Sequence, residues 1–599
     1  VTADLPATAD RGTLSSPVQQ SSTLRPEVRA SRGVVAAGRT FTVEAGSRLL
    51  AAGGNAIDAG VASILAGAIV EISHFGLGGE APIIIYSARD RRVAVINGQG
   101  SAPRAANPAL FAGRAAIPGN GPLGATIPAV IDSAAIALAQ FGTRSFSEVA
   151  APAIELADGF PMYEFLSRYL ESERKASEPY AWTMRTYYPD GRVARAGEVF
   201  RQANLAATLR ALATAEQKAL QGGASRVEAI QAARDGFYKG PIAQRMSAAV
   251  REAGGVMTDE DLASYRGKVE DPATVTYRGH AVYKAGFWNQ GPALLQTLRL
   301  LEGFDLARMG AGSADAIHTT VEAVKLAFAD RDKYYGDPDF VRVPGEALLS
   351  PAYAAARRSL IDPRRASLES RPGTPSREVT IAPDQPGDRK APTPASESIV
   401  PKEPGDTTSI QVADAAGNLF SATPSSGWLL GGAFVAGDTG VPMSNRMQAF
   451  RLDAGSPNVL AGGKRPRTTL TPTIVLKDGR PFLAIGTPGG DSQDQQILLV
   501  LLNIIDFGMD VQAAIEAPRV NSLHPESSFD DHRAQPGVLE AESTLSPATL
   551  EELAARGHVL RMRPPFGIST GVVAAGVDPV TGRLRGGADP RRERALVAW

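Results

Sequence analysis

The chain has 599 residues, 43% of them hydrophobic, and a formal net charge of −1. Those totals support a large buried core and exclude a global charge suited to nucleic acid or an anionic membrane. There is no cysteine, which excludes disulfides, thiolate metal sites and a cysteine nucleophile.

Residues 1–30, opening "VTADLPATADRGTLSSPVQQSST", read as a flexible segment of the kind left by signal cleavage. A periplasmic or secreted location is therefore expected, with the cytoplasm left open. From about residue 42 to 72 the pattern is helical, broken by a Gly pair and restarted behind Asn55 as a cap. "GLGGEAPIIIYSARDRRVAVING" predicts two strands around a charged turn. Residues 126–360 are mostly helical, interrupted by the strand-like "ATVTYRGHAVYKA". Residues 362–406 are rich in Pro, Ser and charge and predict an exposed linker. Beyond Thr407 the chain turns β-rich. "TTSIQVAD" and "LFSATPS" flank "AAGN", and "TPTIVL" and "PFLAIG" flank "KDGR", so each pair predicts a hairpin. "TPGGDSQDQQILLVLLNIIDFG" then passes from a strand through a Gly pair into a helix.

The most apolar runs, "AGVASILAGAIVEI" and "QILLVLLNII", are too short to span a bilayer. The six histidines show no i, i+4 pair and no H-E-x-x-H pattern, so a zinc site is not expected. The basic run "DPRRERA" has no interleaved aromatics and reads as solvated surface.

A strand that opens on Asp-Thr-Thr directly behind an exposed tract raises the possibility of self-cleavage. A Thr hydroxyl needs a base to act at neutral pH. Cutting the Asp406–Thr407 bond would give Thr407 a free α-amine, whose ordinary pKa of roughly 7.7–8 suits a general base. From these residues alone, the plain start of a strand is the favoured explanation of the stretch. "PGG" alone, likewise, reads as a turn.

The chain resembles the γ-glutamyltranspeptidase family of N-terminal-nucleophile hydrolases from about residue 30 onward. The likeness is carried by "EAGSRLLAAGGNAIDA", "GLGGEAPIIIYSA", "GVMTDEDLASYRGKVEDPATVTYRGHAVY", "DTTSIQVADAAGNLFSAT", "KRPRTTLTPTIVLKDG", "GTPGGD" and "ADPRRERA". It implies an α/β four-layer αββα sandwich and autocleavage into a large chain, 31–406 behind the flexible segment, and a small chain, 407–599. The two would form one intertwined catalytic unit, a heterodimer that could itself pair, with no cofactor. Thr407 matches the nucleophile. Ser425 stands where relatives have a Thr that bonds it, and Gly489 and Gly490 match the oxyanion glycines. Thr468 and Thr469 match hydroxyls lining the donor site.

The substrate pocket departs from the family pattern. The Arg that holds a γ-glutamyl α-carboxylate is replaced by Gln99. The positions that hold the α-amino group carry Gly427, Arg446 and Ala449. Arg446 would repel an ammonium and suits an acyl group bearing a carboxylate. The alternative is that it faces solvent or pairs with a neighbouring acid. The short stretch between Phe450 and Lys464 implies a truncated lid and an open site. The expected activity is therefore an autoprocessing amidohydrolase or acylase, with ω-carboxyacyl amides or small acid amides as substrates. One alternative is a γ-glutamyl hydrolase or transpeptidase with a rebuilt donor site, using Arg104 or another nearby Arg. Another is an uncleaved, non-catalytic member.

Overall fold

The computed structural model describes residues 23–114, 116–375, 407–427, 429–529 and 531–599. Asp406, most of the predicted linker and residues 1–22 lie outside the described residues.

Two seven-stranded antiparallel sheets form the centre. One runs Ala595–Ala598, Gly33–Ala37, Ile410–Asp414, Leu419–Ala422, Ile83–Ser87, Arg92–Asn97, Lys268–Glu270. The other runs Val28–Ala30, Leu584–Ala588, Val573–Val577, Arg480–Gly486, Thr473–Lys477, His280–Lys284, Ala273–Tyr277. Side chains alternate between the two faces of each strand. Val34, Ile84, Ala413, Ile474, Ala484 and Ala575 pack together in a core between the sheets. Their neighbours Val35, Ile83, Ile85 and Val412 face a core shared with the helices Thr40–Ala51 and Ala56–Val70. On the far side, Val475, Leu483 and Ile485 pack on Pro292–Leu301, Ala314–Tyr334 and Gln493–Ile505. The result is the expected αββα sandwich.

Both predicted hairpins form, with Val412 opposite Phe420 and Val475 opposite Leu483. Asn55 caps Ala56–Val70 in a reciprocal box with Asp58, as its position before the apolar run predicts. The strand after the linker is displaced. It begins at Ile410, and Thr407 instead makes a single bridge to Ser425.

Three expectations are corrected. The flexible segment does not extend to residue 30, because Val28–Ala30 pair with Leu584–Ala588 at a sheet edge. The exposed linker does not begin at 362. Ala366 is buried, the Ser367 N–H donates to Glu322, and the Gly373 N–H donates to Asp330 at 2.7 Å. Finally, "DPRRERA" is not a solvated run. The Arg591 side chain is out of solvent between Glu542 at 2.7 Å and Asp589 at 3.3 Å, and Arg594 is buried. The chain must pass inward there, because the strand that follows docks on Gly33–Ala37.

Candidate active site

Thr407 faces Ser425, and Ser425 faces Glu80, in two adjoining antiparallel bridges. The Ser425 N–H donates to the Glu80 carbonyl at 3.0 Å and the Glu80 N–H returns the bond at 2.9 Å. Directly opposed residues on neighbouring extended segments share a face. The three side chains therefore form one row, and all three are buried.

The Thr407 and Ser425 hydroxyls lie 3.2 Å apart. Ser425 Oγ also receives the Gly427 N–H at 3.2 Å and the Arg446 Nη2 donor at 2.6 Å. Arg446 is 2% exposed, and its Nε donates to Glu80 Oε1. The second Glu80 oxygen, Oε2, is buried and meets no hydrogen-bond partner among the described residues. Burial pushes the Glu80 carboxyl up, against the opposing pull of the Arg446 charge and hydrogen bond. The guanidinium lies over the Phe529 ring at 5.7 Å. Of the two alternatives for Arg446, pairing with a neighbouring acid is the one found, and the pair sits against Ser425 rather than in solvent.

Gly489 and Gly490 occupy the turn between the strand Arg480–Gly486 and the helix Gln493–Ile505. Their φ values are +127° and +55°, which favour glycine. A Cβ on Gly490 would lie 3.1 Å from Phe529 Cε2. Phe529 thus touches both the glycine pair and Arg446. The turn is tied down from behind. Gln290 Nε2 donates to the Gly490 carbonyl at 3.2 Å, and Arg331 Nη1 holds Gln290 Oε1 at 3.0 Å. Arg331 also pairs with Asp491, which accepts the Ser528 hydroxyl at 2.6 Å and its N–H at 2.8 Å. Burial alone would raise Asp491, but Arg331 and the Ser528 bonds outweigh it and hold the carboxyl below the usual range. The strand preceding the turn reaches the segment that follows Thr407: a Cβ on Gly486 would lie 2.4 Å from Ser409 Oγ.

Thr468 and Thr469 are buried near this support. The Thr468 carbonyl accepts from Gln290 N–H at 2.9 Å, and its hydroxyl accepts from Leu470 N–H at 3.2 Å. Gln99 is buried, with Nε2 on the Gly100 carbonyl at 3.3 Å and, among the described residues, no partner for Oε1. Arg104 does not join the site. Its exposed side chain bonds Ser264 at 2.9 Å and lies 3.5 Å from Glu260 on a surface helix. The short 450–464 stretch does not leave Thr407 open to solvent: it is 4% exposed. The stretch is itself tied down. Arg451 N–H donates to Asn458 at 3.0 Å, and the Arg451 side chain pairs with Glu526.

Sequence reasoning missed Glu80, Phe529 and the Gln290–Arg331–Asp491 support. Glu80 carried a signal: one acid inside the small-residue run "GLGGEAP". Phe529 comes from a loop with no pattern of its own. Among the described residues, His318, Glu322 and His558 are the ligand types that approach one another closely enough for an ion. His318 bonds His558 at 2.9 Å and the Asp362 carbonyl at 2.8 Å, while Glu322 is engaged by Lys325 at 2.6 Å and Arg371 at 3.2 Å. With two cations already on its only carboxylate, this group acts as a clasp on residues 362–371.

A two-sheet sandwich with paired, buried Thr407 and Ser425 hydroxyls, joined through Arg446 and Phe529 to a glycine turn, is the arrangement expected of a hydrolase of the N-terminal-nucleophile class. The family model described as gamma-glutamyltranspeptidase matches residues 42–599. The chain is 33% identical to the glutathione hydrolase proenzyme of Escherichia coli (strain K12), over 95% of this chain and 92% of that one. It is 31% identical to the acylase ACY 1 proenzyme of Pseudomonas sp. (strain SE83), over 95% and 94%. The solved cephalosporin acylase from Bacillus halodurans superposes with a TM-score of 0.82 at 29% identity, covering 98% of this chain and 99% of that one. The chain belongs to the gamma-glutamyltranspeptidase family.

Proposed function

We propose that the protein is an autoprocessing N-terminal-threonine amidohydrolase that hydrolyses amides of carboxylate-bearing acyl groups. The observation that carries this reading is the Thr407–Ser425 hydroxyl contact of 3.2 Å with the Arg446 guanidinium 2.6 Å from the same Ser425 oxygen. Thr407 Oγ first attacks the Asp406 carbonyl, and water opens the resulting ester. The freed amine then serves as base. It takes the hydroxyl proton as Oγ attacks the substrate amide and returns it to the leaving amine. The Gly489 and Gly490 N–H groups hold the oxyanion, aided by the N-terminal end of the helix that follows. Water clears the acyl-enzyme. Proenzyme relatives of both kinds, glutathione hydrolase and acylase, support the processing step.

Although paired with Glu80, Arg446 keeps a guanidinium one hydroxyl away from the reacting oxygen, and that placement supports an acyl chain ending in a carboxylate. Thr468, Thr469 and Gln99 are the polar groups proposed to line the remainder of the pocket. Glu80 supports a second reading. Its unpartnered Oε2 could receive an ammonium, so that Arg446 and Glu80 together would suit an α-amino-acid zwitterion, as in a γ-glutamyl donor. Arg104 has no part in either reading. A glutaryl anilide and a γ-glutamyl anilide differ only in that amino group. Faster hydrolysis of the glutaryl compound is expected, and preference for the γ-glutamyl compound would transfer the assignment to the second reading.

A further inference from the structure

Ser425 Oγ is the point where the Thr407 hydroxyl, the Gly427 N–H and the Arg446 guanidinium meet, within 2.6 to 3.2 Å. The guanidinium is a rigid fork. One prong, Nε, is fixed by Glu80, and another, Nη2, is aimed at Ser425. Its flat face rests on Phe529, which also backs Gly490. Both charged side chains are nearly or fully out of solvent, at 2% and 0% exposed. In such surroundings each charge depends on the other, and losing one leaves the partner uncompensated.

We propose that Glu80 is a positioning residue for the nucleophile. It locks Arg446 onto Ser425, and so fixes the Ser425–Thr407 hydroxyl pair and the net charge beside the Thr407 amine. The inference rests on Thr407 being the nucleophile. The position of Glu80 in the row supports it, since its side chain shares the face of Ser425 and Thr407. Other ionisable groups surround the row. The Glu71 carboxylate lies with the Thr408 hydroxyl against Gly38. His74 accepts the Ser426 N–H through its carbonyl. Tyr265 donates to the Gln99 carbonyl at 3.0 Å and senses the charges of Glu80, Arg465, Asp132 and Arg234. All remain in place when Glu80 alone is substituted.

E80Q keeps an acceptor for Arg446 but removes the negative charge. The Arg446 charge then stands uncompensated near the Thr407 amine, disfavours the ammonium and lowers its pKa. The amine becomes a free base at lower pH. The acidic limb of kcat/KM for E80Q should therefore move down by about half a unit or more. E80A removes the lock, and kcat should fall about tenfold or more with KM within about threefold. These are measured on the cleaved enzyme with whichever anilide the wild type hydrolyses. An unmoved acidic limb in E80Q, or an E80A effect confined to KM, would overturn the proposal; the latter would make Glu80 a substrate contact. If the wild type hydrolyses neither anilide, the substrate reading fails by itself and autocleavage decides. E80A precursor should then be processed about tenfold more slowly than wild type, and an equal rate overturns the proposal. If E80A does not fold, the E80Q limb is decisive.

Discussion

Ser425 receives two N–H donors and faces the Thr407 hydroxyl, so its oxygen is the joint between backbone, guanidinium and nucleophile. Removing it in S425A leaves a buried guanidinium donor without that acceptor. Precursor processing, followed as loss of the full-length band, should slow by about tenfold to a hundredfold, while S425T retains most of the rate. Gly490 is constrained differently. Its φ of +55° strains any L side chain, and a Cβ there would press on Phe529 at 3.1 Å. In G490A the turn must shift, and kcat should fall by roughly 10²–10³ with KM little changed, since the donors act on the transition state. Steady-state kinetics on the anilides separate the two constants.

At the scale of elements, the glycine turn is held by a charged scaffold behind it. Asp491 joins Arg331 to Ser528, and Gln290 carries that support to Gly490. The Asp491 carboxyl is held below its ordinary range, so its contribution to stability is present above the unfolded value and lost as pH falls through the lower folded value. The stability difference between wild type and D491N should be flat above about pH 5 and shrink below about pH 4, as read from urea unfolding at each pH. The cap at Asn55 predicts a smaller effect. N55A should destabilise by about 1 kcal/mol without altering turnover by the folded enzyme, as unfolding curves and kinetics would show.

These elements differ in how far they could be read from sequence. The two hairpins and the Asn55 helix carry strong local signals: turn residues between apolar runs, and a cap three residues before an acid. The strand Gly33–Ala37 carries none, because "GVVAA" is short and buried on both faces, so no alternation marks it. Val28–Ala30 hides in a polar segment for a related reason, since an edge strand needs only one partner. Thr407 and the glycine pair were singled out through family likeness, where the residues alone favoured a plain strand start and a plain turn. Glu80 was visible as an odd acid, but its partner lies 366 positions away in sequence. That partnership is a property of strand order, which local pattern does not encode.

For the whole molecule, strand order makes the two predicted chains inseparable. Each sheet combines strands from before residue 406 with strands from after it. The terminal strand Ala595–Ala598 pairs with Gly33–Ala37, and the Trp599 carbonyl accepts from Arg32 N–H at 2.8 Å. Cleaved protein should therefore run as one species on native gel filtration and separate only in denaturant. The central claim, that Thr407 becomes an N-terminal nucleophile, is tested most directly by denaturing electrophoresis with N-terminal sequencing of the smaller band. Two chains are expected, the smaller beginning Thr-Thr-Ser-Ile, and T407A should remain a single chain. A folded wild-type protein that stays uncut, or a small chain beginning at any other residue, would contradict the account.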